Sequence, residues 1–358
     1  MNIRNAAANN RTFEEKISAA YLMSGIKLGK LGVNLGLRGE RTANEGEGPV
    51  TDVKAAIGIT DRLAQARAIY GSKRIRRESN YTNLFPNAQL RYDFAPDLVA
   101  RASYSETVGR QDIGNLMPGA NISDGSPVVV SVNNTELKPN FMKNYDLGIE
   151  YYLKPVGIIS VGIFYKTISN YTRSFDEAIV ANGNYNIEGI NLNDYVGGIL
   201  RQQQNASDGE VKGLELSYSQ QLSAYSKLLQ GVGVFANYTT QKAEGKFGGT
   251  LNITGPLDNY LPKTFNAGFT YRRSRLNLSL TYNWRASYYF SFGGAGFDAK
   301  KGTYDVDVSY EVLAGHSLFL QVSNLTNEKN RSLFVHDYRT ERIREYGATL
   351  NFGIRGRF

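Results

Sequence analysis

The sequence predicts an all-β fold, a transmembrane antiparallel β-barrel of which about thirteen strands are present. Three features of the 358 residues lead there. Apolar and polar side chains alternate with a period of two, the mark of strands with two different faces. The alternating segments run to about ten residues or more, the length that crosses a bilayer at a tilt, whereas strands of soluble sheets average about five or six. The joints between segments are alternately short and long, as in barrels with tight turns at one membrane face and loops at the other.

Taken in order, the alternation occupies about 15–28, 31–43, 80–94, 97–109, 144–151, 157–172, 208–221, 228–242, 262–273, 276–285, 304–310, 316–327 and 342–358. Its clearest stretch sets Leu276, Leu278, Leu280, Tyr282 and Trp284 against Asn277, Ser279, Thr281, Asn283 and Arg285. A second sets Tyr145, Leu147, Ile149 and Tyr151 against Asn144, Asp146, Gly148 and Glu150. The apolar set is assigned to lipid and the polar set to a wet lumen. Aromatic residues gather near segment ends (Tyr151, Tyr152, Phe164, Tyr165, Tyr288–Phe290), where interfacial girdles belong. On this assignment Leu278→Arg or Val308→Arg costs about 2–4 kcal/mol near the bilayer midplane, and Asn277→Arg far less.

Short joints fall at Gly29-Lys30, Ala95–Asp97, Lys154–Gly157, Leu222–Lys227, Ser274 and Ala314-Gly315. Long polar joints fall at about 44–79, 110–140, 173–207, 243–261, 291–299 and 328–341. The first and last strands then run in the same direction. An odd set cannot close as an ordinary antiparallel barrel, because single-chain bacterial barrels have even strand numbers. The expectation is a fragment: residues 1–14 a lead-in, a loop remnant of a truncated barrel, and residues 15–358 the C-terminal part of the barrel. No signal-peptide core precedes the first strand, which supports that expectation.

Composition narrows the function. Mean hydropathy is -0.37, and no stretch approaches the roughly 20 apolar residues of a transmembrane helix. With no cysteine there is no disulfide, thiolate metal site or cysteine nucleophile. His316 and His336 are too far apart in sequence to suggest a metal or haem site, so neither metal nor cofactor is expected. No nucleophile elbow, phosphate loop or zinc-protease motif occurs, and Gly293–Gly296 lacks the following helix that a phosphate cradle needs. Asp146, Glu150, Asp305, Asp307 and Glu311 are read as solvated or Arg-paired lumen carboxylates, not catalytic pairs. No enzyme is expected. The charge of +8 is densest at Lys73–Arg77. That run is read as a solvated patch, or as a contact for lipopolysaccharide phosphates, in preference to a nucleic-acid surface, which would add stacking aromatics.

The last strand, Tyr346–Phe358, places Tyr346, Leu350, Phe352, Ile354 and Phe358 on one face. It resembles the outer-membrane signal read by the barrel-assembly machinery. Phe85–Phe94 with Leu98–Arg110, Leu137-Lys-Pro139 with Asn144–Tyr152, and Val322-Ser-Asn-Leu-Thr-Asn-Glu328 are similar, in this order, to segments of TonB-dependent receptors. The resemblance covers about residues 15–358. It implies a 22-stranded barrel in the outer membrane of a Gram-negative bacterium, surrounded by outer-membrane lipid and lipopolysaccharide. It also implies uptake of a small-molecule nutrient (siderophore, cobalamin or carbohydrate). The TonB complex would act only through a plug, which these residues lack. A passive porin-like or structural barrel is the alternative, and a plug separates the two. Tyrosines suit stacking and hydroxyl hydrogen bonding to such ligands. Arg285, Tyr288, Tyr289 and Phe292, near one strand end, are the candidate substrate-facing cluster; the competing reading makes the aromatics an interfacial girdle.

Overall fold

The computed structural model describes residues 10–70, 73–123, 125–183, 190–247, 253–290, 296–334 and 339–356. Its strands are β1 (Thr12–Leu28), β2 (Leu31–Asp52), β3 (Arg74–Ala95), β4 (Leu98–Gly109), β5 (Ala120–Ile122), β6 (Val129–Val132) and β7 (Asn140–Leu153). There follow β8 (Gly157–Ala178), β9 (Ile199–Gln221), β10 (Val232–Phe247), β11 (Ile253–Pro256), β12 (Lys263–Arg273) and β13 (Leu276–Arg285). The last are β14 (Tyr288–Tyr289), β15 (Gly296–Asp298), β16 (Lys301–Leu313), β17 (His316–Ser323), β18 (Asn330–Phe334), β19 (Thr340–Arg344) and β20 (Thr349–Gly356). Thirteen of them pair antiparallel in the order β1-β2-β3-β4-β7-β8-β9-β10-β12-β13-β16-β17-β20. These are the thirteen strands expected. Among the described residues β1 pairs only with β2 and β20 only with β17, so the sheet is an open barrel arc.

Register explains why the alternation works. One cross-strand row runs Leu31, Tyr92, Ala100, Ile149, Val161, Leu216, Tyr238, Phe265, Trp284, one residue from each successive strand from β2 to β13. On the other face a row runs Asn34, Gln89, Ser103, Asp146, Phe164, Gly213, Gln241. A one-residue slip at any pair would carry a whole strand's apolar set to the wrong face. Among the described residues no protein covers the apolar face: Leu147, Ile149 and Ile163 are each about half exposed, and Phe352 is 78% exposed. A soluble sheet would bury these side chains; a lipid-facing one leaves them bare. On the polar face Phe164 lies flat across Gly213, where a Cβ would come within 2.5 Å of its ring, so the strand tolerates no larger residue there.

The packed core is not inside the arc but at its long-loop end. Val50, Ile75, Ala120, Ile122, Val130, Val132, Ile179, Leu192 and Leu200 form one buried cluster. The hairpin β5–β6 builds it, pairing parallel with the end of β2 on one side and with the start of β9 on the other. It thereby closes an outer tier over six consecutive strands of the arc. Gly48 permits the approach of residues 113–118, since a Cβ there would collide with the Pro118 carbonyl.

Several expected boundaries move. β1 starts at Thr12, because its partner β2 continues to Asp52 and pairs Thr12 with Glu47. The joints expected as loops contain β5, β6, β11, β15, β18 and a helix, α1, at Arg62–Tyr70, and β14 falls just before one of them. β10 starts at Val232 rather than 228, after two short 3-10 turns and Gly231 at φ 87°. β17 ends at Ser323, because Asn324 takes φ 54°. The segment expected as one last strand from 342 is broken at Gly347, φ 76°: β19 joins a separate four-stranded sheet, and only β20 joins the arc.

Candidate functional site

Arg285, Tyr288 and Tyr289 stand where β13 leaves the arc for the four-stranded sheet β14-β15-β18-β19. Two of the three are tied together. The Arg285 guanidinium sits 4.9 Å from the centre of the Tyr288 ring, and its Nη1 donates to the Ala299 carbonyl at 3.1 Å. Asp298 organises the group, accepting from Tyr288 Oη at 2.9 Å and from Ser332 Oγ at 2.6 Å, with Arg285 Nη2 at 3.9 Å. Burial, then the bond to Asp298, pushes the Tyr288 hydroxyl above its usual range. Tyr289 points elsewhere and is 38% exposed; its carbonyl accepts from the Asn259 N–H. Phe292 lies outside the described residues. Asp298 and Ser332 were missed in the sequence because strand pairing β15–β18, not spacing, brings them together.

The polar face of the arc carries a second set of groups. Arg101 grips Glu150 through two bonds, at 2.9 and 3.3 Å, and Tyr152 Oη donates to the same carboxylate at 2.7 Å. Glu40, almost buried, is held by both Arg38 and Arg110. A concavity of about 390 Å³ is lined by Asn34, Gln89, Arg91, Arg101, Asp146 and Glu215. Another of about 600 Å³, toward the short turns, is lined by Arg272, Asn277, Asp307, Ser309, Gln321 and Arg355. The carboxylates considered from sequence have ordinary partners: Asp146 with Ser103, Asp305 with Asn283 and Asn324, Glu311 with the Gly315 N–H. Among the described residues no three His, Cys, Asp or Glu side chains converge to hold a metal ion; His336 lies outside them.

The basic run behaves differently from a free patch. It begins β3, Ile75 is buried in the outer tier, and Arg74 and Arg76 form ion pairs with Glu47 and Glu45 of β2. The segment Val322–Glu328 is a latch: Asn324 Oδ1 accepts from the Glu328 N–H at 2.8 Å, and Nδ2 donates to the carbonyls of Glu328 and Gly347 at 3.1 and 3.2 Å. At the C-terminal end, Leu350, Phe352 and Ile354 are 58%, 78% and 72% exposed on the outward face. Tyr346 lies in the break before β20, and Phe358 lies outside the described residues.

The family described as TonB dependent receptor-like, beta-barrel, matches residues 2–325. No curated protein matches the chain. Among solved structures, the ferric-catecholate import receptor Fiu from E. coli K12 aligns over 97% of this chain and 45% of its own, at 15% identity and a TM-score of 0.65. The ferric yersiniabactin uptake receptor FyuA from Yersinia pestis covers 97% and 46%, at 12% identity and a TM-score of 0.64. A mutant ferric enterobactin receptor, PfeA from Pseudomonas aeruginosa in complex with enterobactin, covers 97% and 54%, at 14% identity and a TM-score of 0.60. The chain thus spans about half the length of the solved structures it resembles, and at these identities the likeness concerns the fold.

Proposed function

The chain belongs to the TonB dependent receptor-like β-barrel family, and from that premise we propose that it is part of an outer-membrane receptor that takes up an iron–siderophore complex. The location is the outer membrane of a Gram-negative bacterium, with energy relayed by TonB through a plug rather than through these strands. The observation that carries the reading is the two-faced arc: a bare apolar face suited to lipid, and a polar face on which Arg272 and Arg355, with no ion pair among the described residues, line the larger concavity while Arg38, Arg91, Arg101 and Arg110 are held by carboxylates. Ferric catecholates and carboxylates are anionic, so guanidinium groups above concave walls favour them over neutral sugars. Exposed Tyr289 is assigned to ligand contact, and Arg285 with Tyr288 to holding the loop that carries it. Leu350, Phe352 and Ile354 are assigned to recognition by the barrel-assembly machinery.

Deleting the gene in its host tests the proposal. With a ferric siderophore as sole iron source, growth and uptake of labelled iron should fall to background, while cobalamin and oligosaccharide uptake stay unchanged. Undiminished iron uptake with every siderophore tried would refute it. Loss of cobalamin or oligosaccharide uptake alone would move the assignment to that nutrient.

A further inference from the structure

Toward the long-loop end of β3 the wall of the arc splits. β3 pairs with β4 only as far as Asn87 opposite Ser105, yet it continues to Arg74, joined to β2 alone by an unbroken register. Parity identifies the backbone groups this leaves over. The Asp93 N–H donates to the Lys30 carbonyl and the Val50 N–H to the Lys73 carbonyl. Odd residues of β3 therefore bond to β2, and even ones turn their N–H and C=O toward β4. Pro86 is the first even residue past the Ala88–Tyr104 pair and has no N–H to give, and there the two strands part. β4 follows β7 instead, up to Gly109 opposite Asn140, and Arg110 then reaches Glu40. Among the described residues Glu78, Asn80, Thr82 and Leu84 thus have no strand beside their outward-turned backbone groups. Proteins usually blunt such an edge with a bulge, a proline or lysines. From Glu78 to Leu84 there is none of these.

Beside this edge lies a slot of about 670 Å³. Its far wall is Glu136–Pro139 with Ser169 and Asn170, and Phe141 stands at its base, its ring stacked on that of Phe85 at 6.4 Å. The far wall is fixed from behind and leaves the gap open. Asn205 Oδ1 accepts from the Lys138 N–H at 2.7 Å, and its Nδ2 donates to the carbonyls of Lys138 and Asn170 at 2.9 and 2.8 Å. Leu137 is buried. A register shift in β8 between Ile168 and Tyr171, with Asn170 at φ 62°, brings Ser169 and Asn170 to the slot. The lining is acidic. Arg76, engaged with Glu45, comes only within 3.7 Å of Glu78, and Glu136 has no ion pair among the described residues. Lys138 is the one cation among the described residues of the lining.

We propose that the slot receives an extended polypeptide strand of a partner protein, which adds to β3 antiparallel in the place β4 vacates and sets a lysine or arginine between Glu78 and Glu136. The edge itself selects a backbone partner. Its donors and acceptors recur at every second residue, about 6.8 Å apart along one line, and another extended chain matches that spacing at each of Glu78, Asn80, Thr82 and Leu84. A sugar or an iron complex would bond one or two of these groups and leave the others to water. Glu78, Asn80 and Thr82 are exposed at the long-loop end, so on the receptor reading the partner approaches from outside the cell. The inference goes beyond that reading and holds whatever nutrient the barrel carries.

The probe is a fluorescein-labelled heptapeptide, Val-Thr-Thr-Thr-Thr-Thr-Lys, blocked at both ends and titrated by fluorescence anisotropy onto the full chain folded in detergent micelles. In the antiparallel register its valine faces Leu84 and its lysine faces Glu78. N-methylation of its third and fifth residues, whose amides point to β3, should weaken binding about 100-fold. Methylation of the fourth and sixth, whose amides point away, should leave it unchanged. Thr82→Pro removes one edge donor and no bond to β2, a position where proline is tolerated, and should weaken binding about tenfold. Glu78→Lys with Glu136→Lys should weaken it about tenfold and favour a peptide ending in glutamate. Circular dichroism verifies that both variants fold. Equal loss from the two methylated peptides, unchanged binding to the folded Thr82→Pro chain, or no binding of the parent peptide up to its solubility limit would overturn the strand pairing. An unchanged preference for lysine after the charge reversal would overturn the placement of the cation. A dimer of the chain that Thr82→Pro dissolves would give the edge to a second copy and overturn the partner protein. The receptor reading is decided separately, by iron uptake, and survives each of these failures.

Discussion

Replacing Leu147 by Arg tests the face assignment where the cost is greatest. On β7 the outward set runs from Leu153, beside a short turn, to Lys143, where the apolar stripe ends. Ten residues at about 3.4 Å, tilted by about 40°, rise about 25 Å, so the midplane lies beside residues 147–149. Leu147 is 50% exposed there, between Ala102 and Ile163 on the neighbouring strands. A guanidinium at that depth should cost about 2–4 kcal/mol. Leu278, which sequence alone offered for the same test, stands two positions from the start of β13 at Leu276. It lies near the interface, and its substitution by Arg should cost only about 0–1 kcal/mol. Ser160→Arg is the polar-face control: its cross-strand neighbours are Glu150 and Ser217, and its cost should be within about 0.5 kcal/mol of zero. The assay is equilibrium unfolding in guanidinium chloride from lipid vesicles. The single tryptophan, Trp284 on the lipid-facing row, reports insertion by its emission maximum. Equal penalties for Leu147→Arg and Ser160→Arg would refute the assignment of faces, and a larger penalty at Leu278 than at Leu147 would refute the depth scale.

Asn324→Ala removes three side-chain hydrogen bonds and places a Cβ-only residue at φ 54°. It should cost about 1–3 kcal/mol, seen as lost amide protection at Glu328 in hydrogen exchange. In the outer tier, burial and then the bond to Asp52 push the Tyr195 hydroxyl up to about 12. Its folded value lies above the unfolded one of about 10, so its contribution is complete below about pH 10 and is lost as pH rises toward 12. Tyr195→Phe should abolish that alkaline step in hydrogen exchange of β5 and β6. Asp176 is the opposite case: the bond from Arg201 holds its carboxyl below the usual range. Its contribution is present above about pH 4 and lost as pH falls through the lowered folded value. Because both side chains are about half exposed, Asp176→Asn should cost no more than about 1 kcal/mol, read from the denaturation midpoint at pH 7. Asp298→Ala should free Arg285 and Tyr288, removing exchange protection from β14 and β15 while leaving the arc's denaturation midpoint within about 0.5 kcal/mol.

What the sequence reveals is set by where the two faces of a strand meet different solvents. At Leu276–Arg285 one face meets lipid and the other water, so apolar and polar residues must alternate, and the strand is read to its ends. At Asn44–Pro49 both faces lie beyond the apolar band. The residues there pair with β3 as regularly as before, yet nothing obliges them to alternate, and the extension reads as loop. Val129–Val132 is too short for any period to separate its faces, so its parallel pairing with Ile199–Gln202, some seventy residues on, is invisible. The Asp298 network is hidden for the same reason: its members meet only once β15 has paired with β18. Alternation therefore fades at a definite depth, and the residues at which it fades carry information. On four strands of the arc, β7, β9, β10 and β12, the first outward residue beyond the apolar stripe is a lysine or follows a single threonine: Lys143, Lys212, Lys242, Lys263. A boundary set by water alone would accept any polar side chain at that level. Acids do stand beside these lysines, Glu106 directly opposite Lys143 and Glu210 and Glu244 within reach of Lys212 and Lys242, so the apolar stripe gives way to a collar of ion pairs, and the end of the legible pattern is where outward side chains pass from an apolar surrounding to a polar one.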